Sequence, residues 1–412
     1  MRVVSAAVPI LLLLASAAHS QDFSYRGFAQ ARATLYPQSA PATGDDTRAV
    51  AEALVRFEPA YRPAPWLRIA ASFDARTDTA EQVEREWRVD WRDRGTTRPA
   101  FSIRQLAATL RRGGATADVG KQFIRWGKAD ILNPTDRFAP RDFLEVTDND
   151  FLAVTGGRLQ YEAGPNTIDV VWVPWFTPSR IPLFNRRWTV LPEGVAGLPV
   201  VDLGSRFPSG SQIGGRWNHL GTGYEFSVSL YDGFNHLPSI EANVQPFPPA
   251  LDLTRTYPSL RMAGADAAVP FSWFTLKGEA AYLKASDGTA DDVVLYVIEA
   301  ERQSGELSLV GGYAGEVVTA SRAALSFAPD RGLTRSFLGR ASYTIDANRS
   351  VAVEAAVRQD GAGVWIKAEY SQASGQHWRV TAGATAIRGR ADDFFGQYRR
   401  NSHGLATLRY SF

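Results

Sequence analysis

Residues 66–76 read WLRIAASFDAR. In an extended chain Leu67, Ile69, Ala71, Phe73 and Ala75 fall on one face, and Arg68, Ser72, Asp74 and Arg76 on the other. A period of two marks a strand, because successive side chains of a pleated backbone point to opposite sides. One side is apolar throughout and the other is charged.

Working outward, the pattern repeats. Ala49, Ala51, Ala53, Val55 and Phe57 oppose Glu52, Arg56 and Glu58, while Phe274, Leu276, Ala280 and Tyr282 oppose Lys277 and Glu279. Val351, Val353, Ala355 and Val357 oppose Glu354 and Arg358. Val364, Ile366, Ala368 and Tyr370 oppose Lys367 and Glu369, and Trp378, Val380, Ala382, Ala384 and Ala386 oppose Arg379, Thr381 and Thr385. A soluble antiparallel sheet alternates as well. Segments of about ten residues with aromatics near the ends of their apolar faces (Trp66, Trp172, Trp273, Tyr282, Tyr370, Trp378) fit a lipid-facing band edged by aromatic girdles.

The connections carry the same message. Short ones fall at 62–65, 111–114, 164–166, 221–223, 268–272, 303–306, 346–350 and 372–377. Between them lie 37–47, 78–100, 127–155, 177–212, 235–253, 286–292, 319–333 and 388–402, with one brief member at 360–363. Short turns alternating with longer loops are the pattern of an outer-membrane barrel, and an even strand count leaves both termini in the periplasm. The expected fold is all-β: a transmembrane antiparallel β-barrel of about 18 strands, 16 being the alternative, with short periplasmic turns and long outer loops. Residues 86–93 also alternate and are read as strand reaching beyond the membrane within the second outer loop.

The N-terminus, MRVVSAAVPILLLLASAAHSQDF, has Arg2 before an apolar run, and Ala18 and Ser20 at −3 and −1 of a cut before Gln21. This predicts a cleaved secretory signal at 1–20. A membrane anchor would need a run of about 20 apolar residues. Residues 21–412 then form a single barrel in the bacterial outer membrane. The chain has no cysteine, which excludes disulfides, thiolate zinc sites and a thiol nucleophile. Its 45 basic and 43 acidic residues nearly cancel, so it carries no field suited to nucleic acid.

Residues 101–142 read FSIRQLAATLRRGGATADVGKQFIRWGKADILNPTDRFAPRD. Gly120-Lys121-Gln122, Trp126-Gly127, Asn133-Pro134 and Asp136 resemble the G-x-Q, W-G, N-P-x-D block of porin-like outer-membrane proteins, a family largely of unknown function. The resemblance implies a β-barrel in the outer membrane and little about the solute. It covers about a tenth of the chain. It also implies that the loop at 127–155, after the fifth strand, folds inward as a constriction. Its candidate residues are Lys128, Asp130, Asp136, Arg137, Arg141, Asp142 and Glu145, with prolines 134 and 140 stiffening the backbone. The alternative is a loop that only braces or plugs the barrel. The chain ends Leu408-Arg409-Tyr410-Ser411-Phe412, which resembles the terminal signal read by the barrel-assembly machinery; Tyr410 and Phe412 carry it, and Thr407 stands where glycine is usual.

Parity set by the apolar partners points Arg56, Arg68, Asp74, Arg76, Arg158, Arg216, Arg261, Lys277, Glu279, Arg340, Lys367, Glu369 and Arg379 into the pore. Rings of one sign set ion preference; a mixed set also serves as cross-strand ion pairs. After signal cleavage His219, His236, His377 and His403 are the remaining histidines, with neither HExxH spacing nor a GxSxG elbow. No enzymatic activity, metal site, nucleotide motif or cofactor is expected. Asp148-Asn149-Asp150 reads as a solvated acidic loop segment, with surface calcium as its alternative. The function expected is passive diffusion of small polar or anionic solutes. The surroundings expected are outer-membrane lipid and lipopolysaccharide. The alternatives are a plugged barrel that moves hydrophobic compounds or serves as an export channel, and a barrel-embedded hydrolase.

Overall fold

Lipid offers no partner to a backbone amide, so each membrane strand must pair on both sides and the sheet must close. The computed structural model describes residues 22–40, 45–86, 89–190, 198–285, 290–322 and 325–412. Among these, eighteen antiparallel strands form one closed sheet. They are β1 (Phe23–Leu35), β2 (Ala49–Ala64), β3 (Leu67–Asp78), β4 (Phe101–Arg112), β5 (Ala115–Gln122), β6 (Val154–Ala163), β7 (Asn166–Val173), β8 (Gln212–Gly221) and β9 (Tyr224–Phe234). The second half comprises β10 (Ser259–Pro270), β11 (Thr275–Ala285), β12 (Asp292–Ser304), β13 (Leu307–Ala320), β14 (Ser336–Asp346), β15 (Arg349–Arg358), β16 (Gly363–Ser374), β17 (Trp378–Gly389) and β18 (His403–Ser411). Each pairs with the next in chain order, and β1 pairs with β18 from Phe28 opposite Ser411 to Leu35 opposite Gly404. Gly27 and Phe412 complete the seam with two backbone hydrogen bonds, 2.9 and 3.0 Å.

The expected strand count and the alternation of short turns with longer loops both hold. The outward rows of the strands are mostly apolar and exposed, as at Val55, Ile69, Leu159, Trp217, Val353 and Leu408. No described helix is long and apolar enough to cross a membrane; the crossing is made by strands.

Three features differ from expectation or add to it. The signal at 1–20 lies outside the described residues. The described residues of the stretch expected as strand, 86 and 89–93, do not form one: the Asp90 carboxylate accepts from the N–H groups of Arg92 and Arg94, and Asp93 has φ +49°, so the chain turns. A local side-chain acceptor wins there over pairing that no neighbour supplies; Trp87 and Arg88 lie outside the described residues. Above the long-loop end a second sheet forms from Val200–Arg206, Pro249–Thr256, Ser239–Pro246 and Leu325–Ser326, with the first two parallel.

The connection from β5 to β6, residues 123–153, enters the barrel. Its Ile124, Trp126 and Phe138 pack with Val171, Tyr231, Leu260, Met262, Leu283 and Leu295 of the wall into an apolar core inside the lumen. Phe138 meets Trp126 and Tyr231 edge-on, with centroids 5.2 and 5.0 Å apart. At Gly214 of β8 a Cβ would sit 2.8 Å from the Phe138 ring, so the loop touches bare backbone there.

Candidate channel constriction

The inward loop is held by carboxylates of the wall. Glu279 on β11 lies beneath it, 3% exposed. One of its oxygens accepts from the backbone N–H of Lys128 (3.0 Å) and of Ala129 (3.3 Å). The other accepts from the N–H and the hydroxyl of Thr135, both at 2.8 Å. Glu299 on β12 accepts likewise from the N–H groups of Asp130 (2.7 Å) and Ile131 (3.2 Å). Hydrogen bonds to a charged acceptor are about twice as strong as neutral ones, so two wall residues immobilise five loop amides.

This clamp gives the W-G, N-P-x-D spacing a physical meaning. Gly127 has φ +94°, and a Cβ on it would fall 2.6 Å from Glu279 Oε2. Asn133 donates to the Ala129 carbonyl at 2.5 Å, and Asp136 accepts from the Trp126 N–H at 3.1 Å. The Trp126 indole N–H donates to Asp169 at 3.1 Å. Burial pushes the Asp136 carboxyl up to about 6, against the Trp126 N–H and the Arg125 charge.

The candidate loop residues divide. Lys128 is spent on anchoring, its ammonium 2.8 Å from Glu225 and 3.1 Å from Asp266. Asp142 sits between Arg98 (2.9 Å) and Arg180 (3.3 Å). Burial opposes its ionisation, but these guanidinium groups outweigh that and hold the carboxyl well below the usual range. Glu145 faces Arg32 at 3.2 Å, and burial nevertheless pushes it up to about 7. Asp130 pairs with Lys277 at 2.7 Å, and Arg137 reaches Asp330 of the loop before β14 at 3.6 Å. Arg141 donates to Asn149 at 3.0 Å and stacks over Phe151, 4.3 Å from its centroid.

Three cavities border the loop on its other side. The first, about 380 Å³, is lined by Asp130, Asp136, Arg137 and Arg141 of the loop and by Arg340, Glu354, Trp365 and Phe394. The second, about 370 Å³, is bordered by Arg56, Asp74, Arg76, Arg98, Arg104 and Arg409. The third, also about 370 Å³, is bordered by Lys367, Glu369, Arg379 and Arg409. Asp148 lines all three, and Asn149 and Phe151 lie between the first and second. Arg32 at 2.6 Å and Lys367 at 3.7 Å keep Asp148 below its ordinary value despite burial.

Of the wall residues expected in the pore, Arg56, Asp74, Arg76, Arg340, Lys367, Glu369 and Arg379 border these cavities. Most are paired: Arg56 and Arg76 share Asp74 at 2.7 and 2.6 Å, and Arg340 meets Glu354 at 2.8 Å. Arg68 lies on the inward face near the short-turn end and is solvent-exposed. Four others are covered by the inward loop and border none of the three cavities. Arg158 binds Asp169 (2.6 Å), Arg216 binds Asp266 (2.9 Å), Lys277 binds Asp130 and Glu301 (2.7 Å each), and Glu279 is the clamp. Arg261 is a correction: it faces outward. Its neighbours Leu260 and Met262 point inward into the core around Phe138, so the apolar row there is the inner one.

Residues not expected at the constriction include Asn149, Phe151, Arg104 and Arg409, and Glu299 was not expected as a clamp. Arg409 was legible from the alternation of the last strand. Arg104 follows in the same way from the alternation of Phe101 and Ile103 with Ser102 and Arg104 on β4, and the others depend on the path of a loop. Tyr410 and Phe412 are on the outer face at the seam, with Tyr410 packed on Trp378 at 4.9 Å. His219, His236, His377 and His403 are scattered. Among the described residues no group of three His, Asp or Glu is placed to hold a metal.

An eighteen-strand closed barrel with a polar lumen and an inward loop is the architecture of outer-membrane porins. Solved structures agree on the fold. The chain is similar to Acinetobacter baumannii OccAB4 (TM-score 0.56, 10% identity, covering 96% of this chain and 99% of that one). A BenF-like porin from Pseudomonas fluorescens Pf-5 gives TM-score 0.56 at 8% identity, over 95% and 97% of the two chains. Pseudomonas aeruginosa OccK5 (OpdH) gives 0.53 at 8% identity, over 96% and 99%. No family model and no curated protein matches the sequence.

Proposed function

We propose that the protein is a passive outer-membrane channel for small polar solutes, with a preference for anions, narrowed by the inward loop at Asp148, Asn149 and Phe151. The observation that carries the anion preference is a pair of guanidinium groups on the cavity wall. Among the described residues Arg379 and Arg409 have no carboxylate partner: Arg379 donates to Ser371 Oγ (3.2 Å), and Arg409 to Gln30 (2.9 Å). Arg409 also stacks over Phe28, 4.2 Å from the ring centroid. A lumen-facing cation without a counter-ion attracts a mobile one. Arg125, which also meets Asp136 at 3.4 Å, and Arg141 lie 4.0 and 4.3 Å from the Phe151 ring centroid and add cations to the lining of the first cavity.

The same reading gives the chain outer-membrane lipid and lipopolysaccharide as its surroundings. It also gives Tyr410 and Phe412 to the assembly machinery, and a channel rather than an enzymatic role to the lumen. The test is single-channel current through the refolded protein in a planar bilayer under a salt gradient. Discrete steps with a reversal potential of anion sign, reduced in Arg379→Gln/Arg409→Gln, are expected. A folded barrel that passes no current overturns the reading. The alternative of a plugged barrel for hydrophobic compounds draws on one feature, the apolar wall of the first cavity at Leu333, Leu338, Trp365 and Phe394; it predicts no ion current.

A further inference from the structure

Charged residues on the lipid-facing rows of the strands are few, and three of them are neighbours. Register places Trp172, Ile213, Asp232, Arg261 and Lys284 on one rung across β7 to β11, each directly opposite the next. All five belong to outward rows and are exposed. Arg261 and Lys284 stand near the long-loop ends of β10 and β11, where Trp172 marks the height of an interface. Asp232 takes the Nε–H of Arg261 at 3.0 Å, with both side chains more than 60% exposed. No other acid pairs with Arg261 or Lys284 among the described residues, so the rung keeps an excess positive charge.

The next rung toward the membrane centre is different. Val170, Gly215, Leu230, Ala263 and Tyr282 stand side by side. Leu230 and Tyr282 rise on either side of Ala263, and Ala265 and Ala280 continue the low floor one rung further down. The result is a furrow of about 530 Å³ in the outer wall, lined almost entirely by apolar atoms and closed at its long-loop end by Arg261 and Lys284. A furrow long enough for part of an alkyl chain ends at two cations at headgroup height. Chemistry of that shape fits a phosphate with acyl chains hanging from it, and the long-loop end of the barrel selects the glycolipid of the outer leaflet among such molecules. Long cationic side chains place their charge at the interface while their stems cover apolar surface, and each gains strength on meeting an ionised phosphate.

We propose that this furrow binds a phosphorylated, multiply acylated glycolipid of the outer leaflet, with a phosphate on Arg261 and Lys284 and an acyl chain along Ala263. The inference rests on the outer-membrane reading for its orientation, and not on conduction. Asp232 holds the Arg261 guanidinium by its Nε and leaves the Nη groups to the phosphate.

The test is native mass spectrometry of the full chain refolded in detergent, with bisphosphorylated lipid A as probe and phosphatidylethanolamine as competitor. The wild type should retain lipid A in preference. Arg261→Gln/Lys284→Gln should retain it at least about tenfold less, since two charge-assisted contacts are removed. Ala263→Leu, which fills the furrow, should lower retention by a similar factor. Arg302→Gln, which removes an outward cation at the short-turn end, should change nothing. All variants should conduct as the wild type does. Wild-type retention in the double variant overturns the phosphate contact, and wild-type retention in Ala263→Leu overturns the furrow. Absence of any lipid A preference in the wild type, or self-association of chains through this face, overturns the proposal as a whole. A channel that carries no current but retains lipid A removes the conduction reading and leaves this one standing.

Discussion

Removing the charge of Glu279 while keeping its shape should release the inward loop without unfolding the barrel. In Glu279→Gln only one oxygen remains, and it can serve either Thr135 or the Lys128 and Ala129 amides. The other side of the amide presents N–H groups to donors. Two hydrogen bonds to a charged acceptor are lost, one of them already long at 3.3 Å. At roughly 1.5–3 kcal/mol for a good one and less for the long one, the loop loses about 2–4 kcal/mol of local stability. The population of the opened loop should then rise about 30-fold or more. Glu299, Asp136 and Asp142 still hold other parts of the loop, so the change is a local opening. The absence of cysteine makes this measurable. Ala129 is 8% exposed, and Ala129→Cys puts a lone thiol under the clamp. Its labelling rate with a water-soluble maleimide should rise by about that factor when Glu279→Gln is added, and single-channel records should flicker. An unchanged labelling rate in a barrel that still shifts its gel mobility on heating would refute the clamp.

Gly127→Ala should loosen the same loop, because the new Cβ meets the Glu279 carboxylate and the residue must hold φ +94°; Ala129→Cys labelling should rise, and wild-type protection would count against a tight turn there. Asp136 and Glu145, raised to about 6 and about 7 by burial, bind protons more tightly in the packed loop than in a released one. Their stabilisation is full below the ordinary carboxylate range and is lost as pH rises through these values. Labelling of Ala129→Cys, corrected for the reactivity of a free thiol, should therefore be slower at pH 5 than at pH 8, and the opposite order would refute the assignment. Asp142→Asn leaves Arg98 and Arg180 with a weaker partner at the base of the loop and should raise labelling, while Arg141→Gln, which borders the first cavity, should alter ion preference with labelling unchanged. Deleting Phe412 removes one end of the seam pairing with Gly27; heat-modifiable barrel formed at the wild-type yield would argue against its role in assembly.

How far the sequence could be read depended on what lay inside each strand. Where β2, β3 and β14 to β18 face polar cavities, outer rows are apolar and inner rows charged, so parity alone placed Arg56, Asp74, Lys367 and Arg379. Along β10 to β12 the inward loop brings its own apolar residues into the lumen. Leu260, Met262, Leu283, Val293 and Leu295 then belong inside, and hydrophobicity no longer says which face meets lipid. For that reason parity points Arg261 inward although it faces outward. It could have been corrected only by knowing that Phe138 sits opposite, which is a fact about the loop and not about the strand.

The same dependence explains why the block around Trp126-Gly127 was recognisable before it was intelligible. Its glycine, asparagine and aspartate look like turn residues, and turn chemistry accounts for Asn133 and Asp136. It does not account for Gly127, whose missing side chain makes room for a carboxylate 152 positions away in the chain, nor for the bare amides at 128–131. Those amides are paid in full by Glu279 and Glu299, which from their own strands read as ordinary lumen charges. A buried acid surrounded by donors is a fastener; the same acid facing water is a selectivity element. Alternation gives both the same signature, so the decision between constriction and brace passes to the loop's own path. That path leaves Lys128, Asp142 and Glu145 as fasteners and brings Asp148, Asn149 and Phe151 to the cavities. The constriction should accordingly respond to substitution at 148–151 in its selectivity, and to substitution at 127, 279 and 299 in its steadiness.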